Sequence, residues 1–552
     1  EGGKYDAQVI DMFNGNQFFL LVYVTYKDVR LVGAPPSSMG KFGGDTDNWS
    51  WPRHTCDFSM FRIYTAPDGS PAKYSAENVP LKPKHHLPVS IKELNNGDYA
   101  MVMGYPGTTN HFITSYGLQE TMDITNKLRY EIRTVKINVL REQMAASQAT
   151  RIKYASKYAS CSNYWKYSHE QNIALKNLNT MGVKKDIEKE YLGWSRDKAP
   201  KYGQALDLLK KGYADRAPYQ VALQYIVEGL LDGGELPWEA YRWGLNIVRA
   251  LDEETNSSSQ EHILNAVKSM AEGFYKDYDQ ETEMKLESAL YKYVVDNMQF
   301  EYCPEMLTKA NEKYKGDFNK YVAKMFEKSV FASPERFNKF MEKPKAKAIK
   351  NDPIFLMGEA IYNAYIKVYK SMPQDANDNI KRGQRDFTDG ILQINAKKGI
   401  LQSPDANSTI RLTYGNVKAY DPRDAVSYKH YTTLKGVIEK EQPSGEFEVP
   451  QRLKDLYFAH DFGPYANSKG ELPTCFITNN DITGGNSGSP VIDADGNLIG
   501  LAFDGNSEAM SGDLDFEENL QRCICLDTRY MLWVIDKFAG AYNLIEEMDI
   551  VK

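Results

Sequence analysis

Thr483-Gly484-Gly485-Asn486-Ser487-Gly488-Ser489-Pro490 encloses a serine in small residues, entered through a Gly-Gly turn and left through Gly-Ser-Pro. Val491-Ile492-Asp493 then starts a strand, and Asp495-Gly496-Asn497 makes a second turn before the apolar run Leu498-Ile499-Gly500-Leu501-Ala502-Phe503. A turn of this kind presents a nucleophilic serine at the end of a strand. Its glycines let the backbone bend sharply enough for the Gly485 and Ser487 N–H groups to converge on one point. Two fixed donors there form an oxyanion hole, where negative charge developing on a carbonyl oxygen is stabilised. A glycine-rich hairpin with an ordinary surface serine shares the Gly-x-Ser-Gly core. The Pro490 exit and the two apolar strands favour the nucleophile.

A serine hydroxyl must lose its proton to attack, so it needs a histidine base, and that base needs a carboxylate to fix its tautomer. The carboxylate candidate is Asp57, in Asn48-Trp49-Ser50-Trp51-Pro52-Arg53-His54-Thr55-Cys56-Asp57-Phe58-Ser59, ahead of the strand-like Met60-Phe61-Arg62-Ile63-Tyr64. Chymotrypsin-like enzymes run His, Asp, Ser along the chain, so the base should precede Asp57. Only His54 does. Three residues from Asp57 in one rigid segment, it is badly placed to span Asp57 and Ser487.

Gly43-Gly44-Asp45-Thr46-Asp47-Asn48-Trp49 through Asp57-Phe58-Ser59 resembles the signature of the bacterial serine dipeptidyl-peptidase family that includes dipeptidyl-peptidases 7 and 11. Further blocks agree in order: Tyr158-Ala159-Ser160-Cys161-Ser162-Asn163-Tyr164-Trp165-Lys166, the Ser487 turn, Phe503-Asp504-Gly505-Asn506, Asp527-Thr528-Arg529-Tyr530 and Val534-Ile535-Asp536-Lys537-Phe538. They span nearly the whole chain.

The resemblance implies Ser487 as nucleophile and Asp57 as triad aspartate. The family histidine lies in a Thr-Asn-His-His-Cys-like segment that nothing here matches. The expectation is therefore that it lies upstream of residue 1 and that these 552 residues alone are inactive. His85-His86 follows Asp57 without that context and is expected to be structural. Asn48, Trp49, Asn163 and Asp504 match residues that hold the free amino terminus of the peptide. Gly505 matches the position that selects the side chain before the cleaved bond, where acid-specific members carry arginine. Cys56 and Ser507 depart from the pattern, standing where glycine and tryptophan are expected. Ser507 puts the fine specificity, not the class, in question.

The chemistry of that set is coherent in itself. A dipeptidyl-peptidase counts two residues from a chain end, whose distinguishing feature is an ammonium. A carboxylate such as Asp504, helped by amide oxygens of Asn48 and Asn163, accepts its protons in charge-assisted hydrogen bonds. A blocked amine would then leave a buried carboxylate unpaired, costing about 3–5 kcal/mol. Gly505, with Phe503 two positions earlier, implies an apolar, uncharged pocket, where an acidic side chain would lose water without gaining a cation. Glycine at 505 also permits a positive-φ turn.

The 552 residues are enough for more than one domain. Basic and acidic residues number 67 and 74, for a net charge of −7, and no basic run points to nucleic acid. No apolar run approaches transmembrane length, so no membrane insertion is expected. Six scattered cysteines (56, 161, 303, 475, 523 and 525) include no Cys-x-x-Cys, so neither a metal nor a cofactor is expected.

Residues 1–113 read as strand-rich, with Gln17-Phe18-Phe19-Leu20-Leu21-Val22-Tyr23-Val24 as an example. From 114 to 395 the periodicity is helical, broken at Asp232-Gly233-Gly234 and Lys343-Pro344-Lys345. Strand texture returns over 396–552, with a final helix over 529–547. The expected fold is a chymotrypsin-like double β-barrel, Asp57 on the first barrel and Ser487 on the second, with an α-helical cap inserted between them. The function that follows is release of dipeptides from peptides with a free amino terminus, preferring an apolar or aromatic residue before the scissile bond. A general chymotrypsin-like endopeptidase and a non-catalytic peptide-binding relative are the alternatives. Export to the periplasm or cell surface, and a homodimer, are implied by the resemblance alone.

Overall fold

The computed structural model describes residues 5–252 and 256–552. They divide into two compact units. One comprises the described part of Glu1–Ile113 with Ile173–Tyr202 and Gln384–Lys552, and the other comprises Thr114–Asn172 and Gly203–Gly383.

The first unit is built on a nine-stranded sheet. Its main path runs Tyr431–Thr433, Pro473–Thr478, Cys523–Asp527, Leu498–Gly505, Pro490–Ile492, Tyr99–Gly104, Arg411–Asn416, and the short strands Val89–Ser90 and Ile550–Val551 join at its side. Pro473–Thr478 and Cys523–Asp527 are buried at every position, so neither shows the apolar–polar alternation of a half-buried strand. Tyr99–Gly104 alternates instead, with Ala100, Val102 and Gly104 inward. It pairs antiparallel with Pro490–Ile492 on one side and Arg411–Asn416 on the other. Strands from both ends of the chain thus share one sheet, and position 113 does not separate two sets of strands. An isolated antiparallel bridge joins Val417, just past Arg411–Asn416, to Thr478.

The register of Leu498–Gly505 matters most for the chemistry. Gly500, Leu501 and Ala502 oppose Asp527, Leu526 and Cys525, but the next pair is Asp504 with Ile524. Phe503 is therefore an extra residue on its strand, a bulge that frees its main-chain groups from the ladder. Elsewhere in this unit Asp28–Gly33, Met60–Thr65 and Val79–Pro80 form a three-stranded sheet, and Asp6–Met12 with Gln17–Tyr23 forms a hairpin.

The second unit is helical, around a core that includes Trp243, Tyr291, Phe331 and Phe337. Its helix starts are written in the sequence. Asn256, Asp279, Asp317, Ser333 and Asp352 each accept a hydrogen bond from an N–H of the first turn. Pro334 and Pro353 follow two of these caps, where a missing N–H costs nothing.

Two expectations divide differently. Residues 173–202 and 384–395 are helical as their periodicity implies, yet they belong to the strand-rich unit. Periodicity reports what an element is, not which unit it packs in. The final helix expected over 529–547 is one continuous run, Thr528–Trp533 and Val534–Phe538, and a separate short helix Tyr542–Glu546, the break falling at Gly540 with φ +68°. All six cysteines are free.

Candidate active site

Ser487 is exposed on the turn between Pro473–Thr478 and Pro490–Ile492. Asn486, buried beneath it, holds the turn shut. Its Oδ1 accepts from Thr483 N–H at 3.2 Å and its own N–H donates to Thr483 O at 3.0 Å. The turn is tied to the bulged strand by Gly488 N–H to Ala502 O at 2.7 Å and Ala502 N–H to Ser489 O at 2.9 Å. Gly485 has φ +107°, and a Cβ built on it would lie 2.3 Å from the Tyr105 carbonyl oxygen. Only glycine fits there, on both counts. The N–H groups of Gly485 and Ser487 have no partner among the described residues.

Ser487 Oγ donates to the carbonyl oxygen of Phe503 at 3.5 Å. The next residue is Asp504, whose side chain is 9% exposed. Its Oδ2 accepts from Arg53 Nη1 at 2.6 Å and from Trp49 N–H at 3.1 Å, and its Oδ1 accepts from Gly505 N–H at 2.8 Å. Trp49 offers its N–H from a left-handed backbone, φ +61°, rare for a bulky residue and a mark of a held conformation.

Arg53 is buried and does more than pair with Asp504. The same Nη1 donates to Asp47 O at 2.8 Å, and Nε donates to Thr55 Oγ1 at 2.6 Å. Its guanidinium lies 5.2 Å from the centre of the Phe503 ring. The loop that carries Asn48 and Trp49 is clamped from a distant stretch of chain. Glu446 accepts from Asp45 N–H at 2.9 Å and Thr46 Oγ1 at 2.6 Å, while Lys440 Nζ reaches Asp47 Oδ2 at 2.8 Å.

Asp57 is exposed, and withdrawal of water around it pushes its carboxyl above the usual range, against the pull of Arg53 and Lys41 and with the push of Asp504. None of the histidines in this unit pairs with Asp57 or Ser487 among the described residues. His54 is buried against Gly436 with its Nδ1 unpartnered. His86 faces Asp549, His111 Nε2 meets Gly512 O at 2.7 Å, and His430 Nε2 meets Leu94 O at 3.2 Å. His85 stacks on His86, and His460 lies against Phe462.

Ser487, Gly485, Phe503, Asp504, Gly505, Trp49, Asn48 and Asp57 all belong to the strand-rich unit, whereas Asn163 sits half-buried on the helix Gln148–Asn177, within the helical unit. Gly505 does not have a positive φ, so its backbone asks for no glycine. Space does: a Cβ there would lie 3.3 Å from Cζ3 of Trp49 and 3.2 Å from Cβ of Ala509. Ser507, just beyond, hydrogen-bonds Glu508 at 3.2 Å. The expectation that a blocked amine strands an unpaired Asp504 needs correction, because Arg53 already neutralises that carboxylate. Arg53, Glu446 and Lys440 are the site residues that sequence reasoning missed. Arg53 stood inside a quoted motif, a lone cation between Trp51-Pro52 and His54; nothing local marks the other two. Among the described residues no group of His, Cys, Asp and Glu is arranged to hold a metal ion.

The profile of the family described as peptidase S46 matches residues 1–550. The chain belongs to that family. It is 43% identical to dipeptidyl-peptidase 7 of Phocaeicola vulgatus over 551 residues, 99% of this chain and 76% of that protein. It is 39% identical to the Asp/Glu-specific dipeptidyl-peptidase of Porphyromonas gingivalis, covering 99% of this chain and 75% of that one. The crystal structure of Porphyromonas endodontalis DPP11 in complex with the dipeptide Arg-Glu superimposes with a TM-score of 0.90 at 37% identity, over 99% of this chain and 78% of that one. The S46 chain described here thus spans about three quarters of the length of these relatives, and its fold is the mixed α/β fold of DPP11.

Proposed function

We propose that this S46 chain is a serine dipeptidyl-peptidase that releases dipeptides from the free amino end of peptides. One observation carries the proposal. The nucleophile hydroxyl rests on the Phe503 carbonyl, and the very next residue is the buried carboxylate Asp504. Bond-breaking and end-recognition are thus one residue apart on a single strand, as counting from a chain end requires.

In this mechanism Ser487 Oγ attacks the carbonyl carbon of the second residue while its proton passes to a histidine, and the carbonyl oxygen becomes an oxyanion facing the N–H groups of Gly485 and Ser487. The histidine returns the proton to the departing amine as the C–N bond breaks. Water, deprotonated by the same histidine, then attacks the acyl-enzyme and frees Ser487. Asp57 orients the histidine. Among the described residues of the strand-rich unit no histidine is paired with Asp57 or Ser487. Asp504, Trp49 and Asn48 receive the ammonium. Asn163 is assigned to them on its sequence block alone.

The tight space at Gly505 beside the Trp49 ring supports an apolar or aromatic residue before the scissile bond. The Val417–Thr478 bridge supports reading the large sheet as a rolled second barrel of the chymotrypsin type. Export to the periplasm or cell surface, and a homodimer, belong to the same proposal through family resemblance; no described helix is long and apolar enough to cross a membrane.

The test is fluorophore release from a dipeptide with an apolar second residue, offered with a free and with an acetylated amine to the natural full-length protein. Cleavage of the free-amine form alone supports the proposal. Cleavage of both would make the protein an endopeptidase, and cleavage of neither a peptide-binding relative.

A further inference from the structure

Arg53 touches Asp504, the Asp47 carbonyl, Thr55 and the Phe503 ring, yet the mechanism above gives it nothing to do. Its Nη1 bridges Asp504 Oδ2 on the bulged strand and Asp47 O in the loop that carries Asn48 and Trp49. Its Nε is fixed by Thr55 Oγ1, which itself donates to Phe42 O at 2.8 Å. Asp57 follows two residues after Thr55. One cation therefore joins the strand that bears the amine-binding carboxylate, the loop that bears its partners and the segment that bears the triad carboxylate.

We propose that Arg53 is a positioning residue that sets the geometry of the amine pocket through its guanidinium fork. This rests on the assignment of Asp504 as the amine acceptor.

The role follows from what Asp504 has left to offer. A carboxylate has about four acceptor directions. Arg53, Trp49 N–H and Gly505 N–H take three of them, two on Oδ2 and one on Oδ1. The remaining direction on Oδ1 is where an ammonium fits. Arg53 also makes the carboxylate's own charge a poor source of selectivity, since the pair is neutral overall. Recognition of the amine is then a matter of where one lone pair points, and the fork to Asp47 and Thr55 keeps that direction fixed. Lysine keeps the charge but cannot reproduce a planar fork.

Arg53→Gln and Arg53→Lys in the natural protein test this. For a free-amine dipeptide substrate, both variants should raise KM by about tenfold or more with a much smaller change in kcat, because both lose the fork although lysine keeps the charge. An unchanged KM in Arg53→Lys overturns the proposal, and so does a loss confined to kcat. Arg53→Lys keeps the buried pair charged and is the deciding variant if Arg53→Gln does not fold. Asp504→Asn alone tests the underlying assignment. If it leaves the preference for free over acetylated amine intact, the amine pocket is wrongly placed, whatever Arg53 does.

Discussion

Ser487 Oγ lies 3.5 Å from the carbonyl oxygen of Phe503, the residue at which its strand slips register against Cys523–Asp527. At that length the hydrogen bond is marginal, so it steers the hydroxyl without activating it. The carbonyl is available only because the bulge takes it out of the ladder. The placement of the Ser487 hydroxyl is thus tied to sheet register, and the turn that bears Ser487 is held to the same strand by the Gly488 and Ala502 bonds.

The turn should not tolerate a side chain at Gly485. Its φ of +107° and the Tyr105 carbonyl oxygen 2.3 Å from a built Cβ require the Gly485→Ala backbone to move. Losing one oxyanion donor costs about 10²–10³ in kcat. Steady-state kinetics on the natural full-length protein should show that loss with a much smaller change in KM. A kcat within about threefold of the natural value would remove the Gly485 N–H from the mechanism.

Specificity should respond to volume at Gly505. A methyl group there presses on Trp49 and Ala509 at 3.3 and 3.2 Å. Gly505→Ala is expected to lower kcat/KM for substrates with a large apolar second residue by about 10–200-fold, the range seen when a pocket loses a methylene's worth of room. Small second residues should be affected less. A uniform loss across side-chain sizes would place Gly505 outside the pocket.

Asn163→Ala is expected to raise KM for free-amine dipeptides and leave the acetylated forms as poor as before. A neutral hydrogen bond to a charged group contributes about 1.5–3 kcal/mol, or roughly a tenfold to hundredfold effect. An unchanged KM would leave the amine to the residues of the strand-rich unit alone.

His54 gives a stability prediction. Burial first, then the charges of Lys440 and Arg53, depress its pKa to about 3. An unfolded histidine takes a proton near pH 6.5 and the folded one does not until about pH 3, so the contribution is complete above pH 6.5 and is lost as pH falls through that window. The slope is about 1.4 kcal/mol per pH unit. Urea midpoints compared between about pH 7 and pH 5 should show the natural chain losing about 2 kcal/mol more than His54→Gln. Parallel losses would mean the ring is not buried neutral. Gly436→Ala is expected to destabilise by about 1–3 kcal/mol, since its Cβ would meet His54 Nε2 at 2.0 Å.

Much of the candidate site could be proposed from sequence because its parts are local. The glycines, Asn486 and Pro490 make the Ser487 turn within eight residues, and Trp49, Asp57 and Asp504 stand in short blocks. Arg53 could be seen but not understood, since its partner Asp504 is 451 positions away. Glu446 could not be found at all, lying in an ordinary loop 401 positions from Asp45. The register slip at Phe503 was invisible for a different reason: a run of apolar residues carries no mark of where a partner strand skips one. Gly505 was read as serving either backbone or pocket, and its ordinary φ leaves only the pocket.

Asp504 and Gly505 are neighbours on one strand, and neighbouring strand residues face opposite ways. On the proposed assignment, what measures the distance from the chain end and what judges the side chain are therefore separate parts that share a mount. One could then be exchanged while the other stays put, so a new side-chain preference would be open to this scaffold through a single codon, without its ever forgetting how to count to two.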